Sequence, residues 1–277
     1  MGAGMARNLL AAGFPLAVYN RSRERAEALA QEGAKAGDSP AAAAADADVI
    51  ISMLADDVAS RAVFSGPDGV LSVVKPGAVL IECSTLTPEW IAELGAAAAA
   101  KKCTLLDAPV TGSKTQAAQG QLLFLVGGDA KVAQEMNPVF EPVGRGVVYM
   151  GPSGSGSKMK LINNFLSGLQ AASIAEAIAL TEKLGVDRDK AVEVLCNGAP
   201  GSPTVKTISQ RVIAKDYTIN FDLELMVKDL MYAKELGAKA GMPLLTLEGA
   251  LERFRNAAEA GWKKHDMASV IEPMRQG

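Results

Sequence analysis

Lys160 and Asn164 stand four residues apart, just after the glycine- and serine-rich stretch Gly154-Ser155-Gly156-Ser157. Residues at i and i+4 share one face of a helix. An ammonium and a carboxamide on one face, beside a glycine-rich helix start, can bind a carbonyl oxygen and the negative charge that develops on it. The plainer alternative is a solvated lysine next to a helix-entry amide, because charged helix residues mostly face water. Further polar candidates follow apolar runs: Asn20-Arg21-Ser22, Met53-Leu54-Ala55-Asp56, Ser84-Thr85 and Thr111-Gly112-Ser113. Asp107 and Glu82 near strand ends could act as general bases, with a structural role at a turn as the alternative. Asp229 beside Lys228 reads as a solvated helix face.

These residues need a scaffold. From Met159 to Leu184 runs a proline-free series of good helix formers, stopped by Gly185, too long for a crossover helix in a small α/β domain. Before it, apolar strand-like runs alternate with helical ones. Strands are expected at 15–20, 49–54, 78–83, 104–110, 122–126 and 147–150, and helices at 23–31, 41–45 and 88–100. Such alternation predicts a mostly parallel sheet with helices on both faces. After Gly156 the pattern is helical, with helices expected at 187–196, 204–214, 223–237 and 246–261. The chain therefore divides into an α/β domain, residues 1–153, and an all-α domain, residues 154–277.

In open parallel sheets ligands bind at the carboxyl ends of the strands, where four of the polar clusters fall. A dinucleotide site should carry G-x-G-x-x-G before the first helix. Only its tail could be present, as Gly2, and no strand precedes that helix. The expectation is that the chain starts about ten residues late. At the end of the next strand, NAD-preferring folds place an acidic residue on the ribose 2′-hydroxyl. Here Asn20-Arg21-Ser22-Arg23 offers guanidinium and hydroxyl groups, which favour a 2′-phosphate. If this is a dinucleotide fold, NADP(H) is favoured over NAD(H).

The 277 residues, 49% of them hydrophobic, suffice for two domains with real cores. A net charge of −3 without a basic block argues against nucleic acid as a partner. Three dispersed cysteines, Cys83, Cys103 and Cys196, suit reduced thiols in a cytoplasmic protein. The single histidine, His265, reads as a surface residue, and no metal cluster is expected. There is no secretory pattern and no apolar run long enough to span a membrane.

Four motifs occur in order: Met1-Gly2-x-x-Met5-Ala6-x-Asn8-Leu9, Asp107-Ala108-Pro109-Val110-Thr111-Gly112, Gly154-x-Gly156-x-x-x-Lys160-x-x-Asn163-Asn164, and Lys228-Asp229-Leu230. Together they resemble the β-hydroxyacid dehydrogenases, which include 3-hydroxyisobutyrate dehydrogenase and tartronate semialdehyde reductase. Thr111-Gly112-Ser113-Lys114 and the pair Phe221 and Asp229 are most similar to the glyoxylate/succinic semialdehyde reductase branch. The resemblance implies an N-terminal Rossmann domain, its first strand truncated here, joined by a long helix to an all-α domain. It implies Lys160 as active-site lysine and Asn164 as its partner amide. Substrate contacts would fall on Thr85, Thr111, Gly112, Ser113, Phe221 and Asp229. Cofactor contacts would fall on Met1, Gly2, Asn20, Arg21, Ser22, Met53, Leu54, Ala55, Thr85 and Lys228. The family usually has serine at the place of Thr111, and the hydroxyl is kept.

The reaction so implied is NADPH-dependent reduction of a small carboxylated aldehyde, glyoxylate or succinic semialdehyde. Lys160 would protonate the carbonyl oxygen, its pKa lowered by low dielectric and a cationic nicotinamide. The alternatives within the family are 3-hydroxyisobutyrate dehydrogenase, against which Arg21 argues, and tartronate semialdehyde reductase. Imine-reducing relatives commonly lack the lysine, as does the nucleosome-associated member, so retained Lys160 argues against a non-catalytic binding protein. Related enzymes form dimers or tetramers through the α-domain, so a homodimer or homotetramer is expected.

Overall fold

The structure is a computed structural model and describes residues 1–276. The chain forms two compact units, Met1–Lys160 and the residues from Leu161 onward. The division lies inside the long helix, a turn later than the glycine-rich stretch where the sequence places it.

The first unit begins with α1 (Gly2–Ala11), β1 (Ala17–Val18), α2 (Arg23–Gln31), β2 (Lys35–Ala36), α3 (Pro40–Ala44), β3 (Val49–Ser52) and α4 (Asp57–Ser65). It continues with β4 (Val79–Glu82), α5 (Pro88–Ala100), β5 (Thr104–Asp107), β6 (Val110–Thr111), α6 (Lys114–Ala118) and β7 (Leu122–Gly127). Then follow α7 (Ala130–Glu135), α8 (Asn137–Phe140), β8 (Gly144–Gly151) and the start of α9 (Ser155–Lys183). β1 and β2 pair as a parallel two-stranded sheet, and the larger sheet has the order β3-β4-β5-β7-β6, with β8 on β7.

That sheet is less parallel than the alternation of elements suggests. β3, β4 and β5 are parallel, as are β7 and β8, but β7 runs antiparallel to both β5 and β6. The run expected as one strand over 104–110 breaks at Ala108-Pro109, because Pro109 has no N–H for a ladder. Side chains alternate across a strand. Leu80 and Leu105 therefore join Phe64, Trp90, Ile91 and Leu94 in one core, while Ile81 and Leu106 join Met5, Leu9, Phe124 and Phe140 in another on the opposite face. Packing on both faces leaves the strand ends as the place where polar residues gather.

The second unit contains the rest of α9 with α10 (Arg188–Asn197), α11 (Pro203–Ala214), α12 (Leu223–Lys239), α13 (Leu245–Ala257) and α14 (Glu272–Gln276). Its core draws on α9, α11, α12 and α13, through residues such as Ile178, Ile208, Leu230 and Phe254. The helix expected to reach Gly261 stops at Ala257, and a wider turn, Ala258–Trp262, follows. No helix among the described residues is long and apolar enough to cross a membrane.

Candidate active site

The start of α9 is fixed by β5. Asp107, the last residue of that strand, accepts hydrogen bonds from the backbone N–H groups of Gly154 and Ser157, both at 2.8 Å. Burial pushes the Asp107 carboxyl up, while those N–H donors pull the other way. Asp107 is thus a helix anchor, the structural alternative to a general base. A Cβ on Gly156 would lie 2.2 Å from Leu125 O and 2.6 Å from Asp107 O, so only glycine lets the helix start this close to the strands.

Lys160 follows one turn later and is only 6% exposed. Lys158, on the other side of the helix, is exposed. The solvated-lysine alternative therefore fails for Lys160. Asn164, a further turn along α9, is also buried.

In the second unit Asn164 Nδ2 donates to Asp229 Oδ2 at 2.6 Å, and Asn163 Nδ2 donates to Asn164 Oδ1 at 3.0 Å. Lys228 Nζ lies 3.1 Å from Asp229 Oδ1 and 5.1 Å from the centroid of the Tyr232 ring. Asp229 is 2% exposed, so the reading of Lys228-Asp229 as a solvated face does not hold. The carboxylate fixes which way the Asn164 amide points and leaves that amide a second N–H for a ligand. The loop carrying half-buried Phe221 is held by a residue that sequence reading missed. Buried Asp266 accepts from the N–H groups of Asn220 at 2.9 Å, Phe221 at 2.8 Å and Ala268 at 3.1 Å, with Arg211 Nε 3.1 Å away. An N-cap pattern, Asp266 before a short apolar run, was the available signal. His265, next to it, is half-buried with its ring 4.9 Å from that of Trp262, not a free surface residue.

Back in the first unit, Gly112 has φ +120°, and a Cβ there would press on Gln116 and Leu122 at 3.0 Å. Ser113 donates from its N–H at 3.0 Å and its hydroxyl at 2.6 Å to Gln116 Oε1. Gln116 was also missed, although Ser-x-x-Gln is a capping-box spacing.

The turns after β3 and β4 are tied together. Leu54 N–H donates to Ser84 Oγ at 2.7 Å. Ser84 N–H donates to Glu82 Oε1 at 2.9 Å, and Ser60 Oγ donates to Glu82 Oε2 at 2.8 Å. Burial raises the Glu82 pKa against the pull of those hydrogen bonds. Thr85 is half-buried and Ala55 exposed at these strand ends. Gly2 abuts Met53, with a Cβ at Gly2 3.6 Å from Met53 Cβ. The half-buried Met1 amine has its pKa lowered by burial, then by the charges of Lys114 and Arg25. At the end of β1, Asn20 Oδ1 accepts from Ser22 N–H at 2.9 Å. This turn borders a cavity of about 110 Å³ that Arg21, Gly37 and Asp38 also line.

Two family profiles match the chain. One, described as the NAD binding domain of 6-phosphogluconate dehydrogenase, covers residues 1–151. The other, described as NAD-binding of NADP-dependent 3-hydroxyisobutyrate dehydrogenase, covers residues 154–274. The chain belongs to the β-hydroxyacid dehydrogenase family. It is 35% identical to 3-hydroxyisobutyrate dehydrogenase of Pseudomonas aeruginosa, over 98% of this chain and 94% of that one. It is 32% identical to glyoxylate/succinic semialdehyde reductase 1 of Arabidopsis thaliana, over 99% and 95%. A crystal structure of 3-hydroxyisobutyrate dehydrogenase from Salmonella typhimurium superposes with a TM-score of 0.90 at 30% identity, covering 98% of this chain and 95% of that one. Like its family, the chain is an NAD(P)-dependent oxidoreductase acting on the CH–OH group of small hydroxyacids.

The residues fit such a cofactor. Arg21 is exposed, and no hydrogen bond or ion pair among the described residues engages it, so its guanidinium can meet a phosphate. Lys114 and Arg25 keep the start of α1 electropositive, as a pyrophosphate needs.

Proposed function

We propose that this chain reduces small aldehydes carrying a carboxylate, of the glyoxylate and succinic semialdehyde class, with NADPH in preference to NADH. The observation that carries the reading is the burial of Lys160, on a helix start locked by Asp107 and Gly156, one turn before an amide whose orientation Asp229 sets. When bound, the reduced nicotinamide supplies a hydride to the carbonyl carbon. Lys160, as ammonium, donates a proton to the carbonyl oxygen, and Asn164 holds that oxygen or the lysine in place. Thr85, Thr111, Gly112 and Ser113 contact the substrate, its carboxylate anchored by the Gly112 N–H and by the Ser113 N–H once the latter exchanges Gln116 Oε1 for the ligand. Phe221 and Asp229 complete the substrate contacts. Met1, Gly2, Met53, Leu54, Ala55, Thr85 and Lys228 contact the cofactor, and Asn20, Arg21 and Ser22 hold its 2′-phosphate.

The relative named 3-hydroxyisobutyrate dehydrogenase keeps a second reading open, in which the same residues act on that hydroxyacid. One panel decides: glyoxylate, succinic semialdehyde and tartronate semialdehyde with NADPH or NADH, and 3-hydroxyisobutyrate with NADP+ or NAD+. The proposal expects the highest kcat/KM with NADPH and one of the first two, and preference for 3-hydroxyisobutyrate would overturn it. In the same assay Lys160→Ala should lower kcat by at least about 10²-fold, the lower end for a lost general acid. NADPH affinity should stay near normal. Lys160→Arg should rescue little, because arginine keeps its proton near neutral pH, and Lys158→Ala should be nearly silent.

A further inference from the structure

Glu82 is fully buried, yet no step above uses it. Its place is unusual. It closes β4, in register with Ser52, which closes the parallel neighbour β3. Two residues beyond each strand end, Leu54 and Ser84 begin the turns at the carboxyl edge, the edge where open parallel sheets seat their ligands. One Glu82 oxygen holds the N–H of Ser84, whose hydroxyl holds the N–H of Leu54. The other oxygen accepts from Ser60 on α4, and Ser60 Oγ in turn accepts from Trp90 Nε1 on α5 at 2.8 Å. Each of these helices begins directly after one of the two turns. A second tie joins the helix starts: Asp57, first residue of α4, accepts from the Thr87 N–H at 3.0 Å and hydroxyl at 2.5 Å. A single carboxyl group thus holds Ser84 and Ser60 directly and, through those two hydroxyls, reaches the Leu54 turn and α5.

We infer that Glu82 is a positioning residue for the hydride-transferring end of the cofactor: it sets the spacing of the Leu54 and Thr85 turns, and with it the seat of the nicotinamide half. An apolar side chain of similar size could fill the volume, but could not hold the Ser84 N–H or the Ser60 hydroxyl. The turns would then relax apart without loss of the sheet. The adenosine half would be untouched, because Asn20, Arg21 and Ser22 belong to the turn after β1, in a separate sheet. The inference rests on the reading that the turns after β3 and β4 face the cofactor, and the test separates the two.

The experiment compares Glu82→Leu, Glu82→Gln, Ser84→Ala and Thr85→Ala in the full chain. It measures the dissociation constants of NADPH and of adenosine 2′,5′-bisphosphate, a probe of the adenosine half alone, together with kcat at saturating NADPH. For Glu82→Leu we expect NADPH to bind at least 10-fold more weakly and kcat to fall at least 10-fold, with adenosine 2′,5′-bisphosphate within 2-fold of wild type. Glu82→Gln should restore most of both, because its amide oxygen still accepts from Ser84 N–H. Should Glu82→Leu fail to fold, Ser84→Ala, which removes the bridge to Leu54 and the Ser84 hydroxyl's own contact with Glu82 but keeps the Ser84 N–H on it, must show the same split at smaller size. Equal weakening of both ligands would mean a general loss of structure and overturn the inference. So would a silent Glu82→Leu alongside an impaired Thr85→Ala, which leaves the cofactor reading standing. If Thr85→Ala is silent too, the turns do not face the cofactor and both ideas fall.

Discussion

Arg21 and Arg23 are two residues apart and have opposite fates. Arg23 is committed to Glu27 at 2.8 Å and Asp38 at 3.1 Å, whereas Arg21 faces the small cavity after β1 without a partner among the described residues. Only the uncommitted guanidinium can take a 2′-phosphate without first giving up an ion pair. Arg21→Ala should therefore cost NADPH about 1.5–3 kcal/mol, the range for a hydrogen bond to a charged group, or about one to two orders of magnitude in dissociation constant. NADH should change little. Titration of both cofactors checks this, and equal losses would remove Arg21 as the discriminator. At this scale the sequence was informative about type and spacing and silent about burial. Lys160 and Asn164 could be paired from a four-residue interval, but the same interval suits a solvated face. Asp229 was misjudged for that reason: its neighbour Lys228 suggests water, and only packing reveals that the carboxylate is enclosed with Asn164. Asp266 and Gln116 escaped because their work is done on backbone N–H groups, which leave little trace in side-chain pattern.

At the scale of the element, what aims Lys160 is the join between β5 and α9. Asp107 caps the helix, and Gly156 lets it come down onto Leu125 O and Asp107 O. Those atoms are backbone and cannot rotate aside, so Gly156→Ala must displace the helix start. We expect a stability loss of about 1–3 kcal/mol, as for overpacking elsewhere, together with a fall in kcat, since Lys160 lies one turn downstream. Gly249 is the control. It is exposed inside α13, with nothing within 4 Å of where a Cβ would go. Gly249→Ala should stabilise by about 0.5–1 kcal/mol through helix propensity and leave kcat unchanged. Urea unfolding with parallel rate measurements tests both, and a Gly156→Ala variant with wild-type kcat would show that the join does not aim the lysine. The long helix and the buried strands were legible because apolar periodicity and length mark them. Helices α4, α6, α7 and α8 were not, because each opens directly out of a turn and none carries an alanine run like that of α3. The antiparallel β7 was hidden too, since strand direction is set by connections rather than by the residues of the strand.

At the scale of the whole molecule, each unit has its own core and its own tryptophan, Trp90 in the first and Trp262 in the second. Two units need not unfold as one, so a single midpoint for the chain is not a defined quantity. In a Trp262→Phe background the fluorescence of Trp90 reports the first unit alone, at the residue that donates to Ser60 in the Glu82 network. The pH dependence of that unit follows from the sign of the Glu82 shift. Burial raises its folded pKa above the ordinary carboxylate value, outweighing the hydrogen bonds from Ser84 and Ser60. As pH rises past about 4.3, the unfolded chain releases this proton first. From there to the folded pKa the folded state binds more protons, so stability falls with increasing pH. The contribution is complete below the unfolded value and is lost as pH climbs through the folded one. Asp107 has the same sign but is present in every variant compared, so it cancels in a difference. Glutamine cannot ionise. The urea midpoint of Glu82→Gln minus that of the parent should therefore shift in favour of glutamine as pH rises above about 4.3. A difference that stays constant across that rise, or moves toward glutamate, would mean that Glu82 is already ionised in the folded protein, with the hydrogen bonds from Ser60 and Ser84 carrying the full charge.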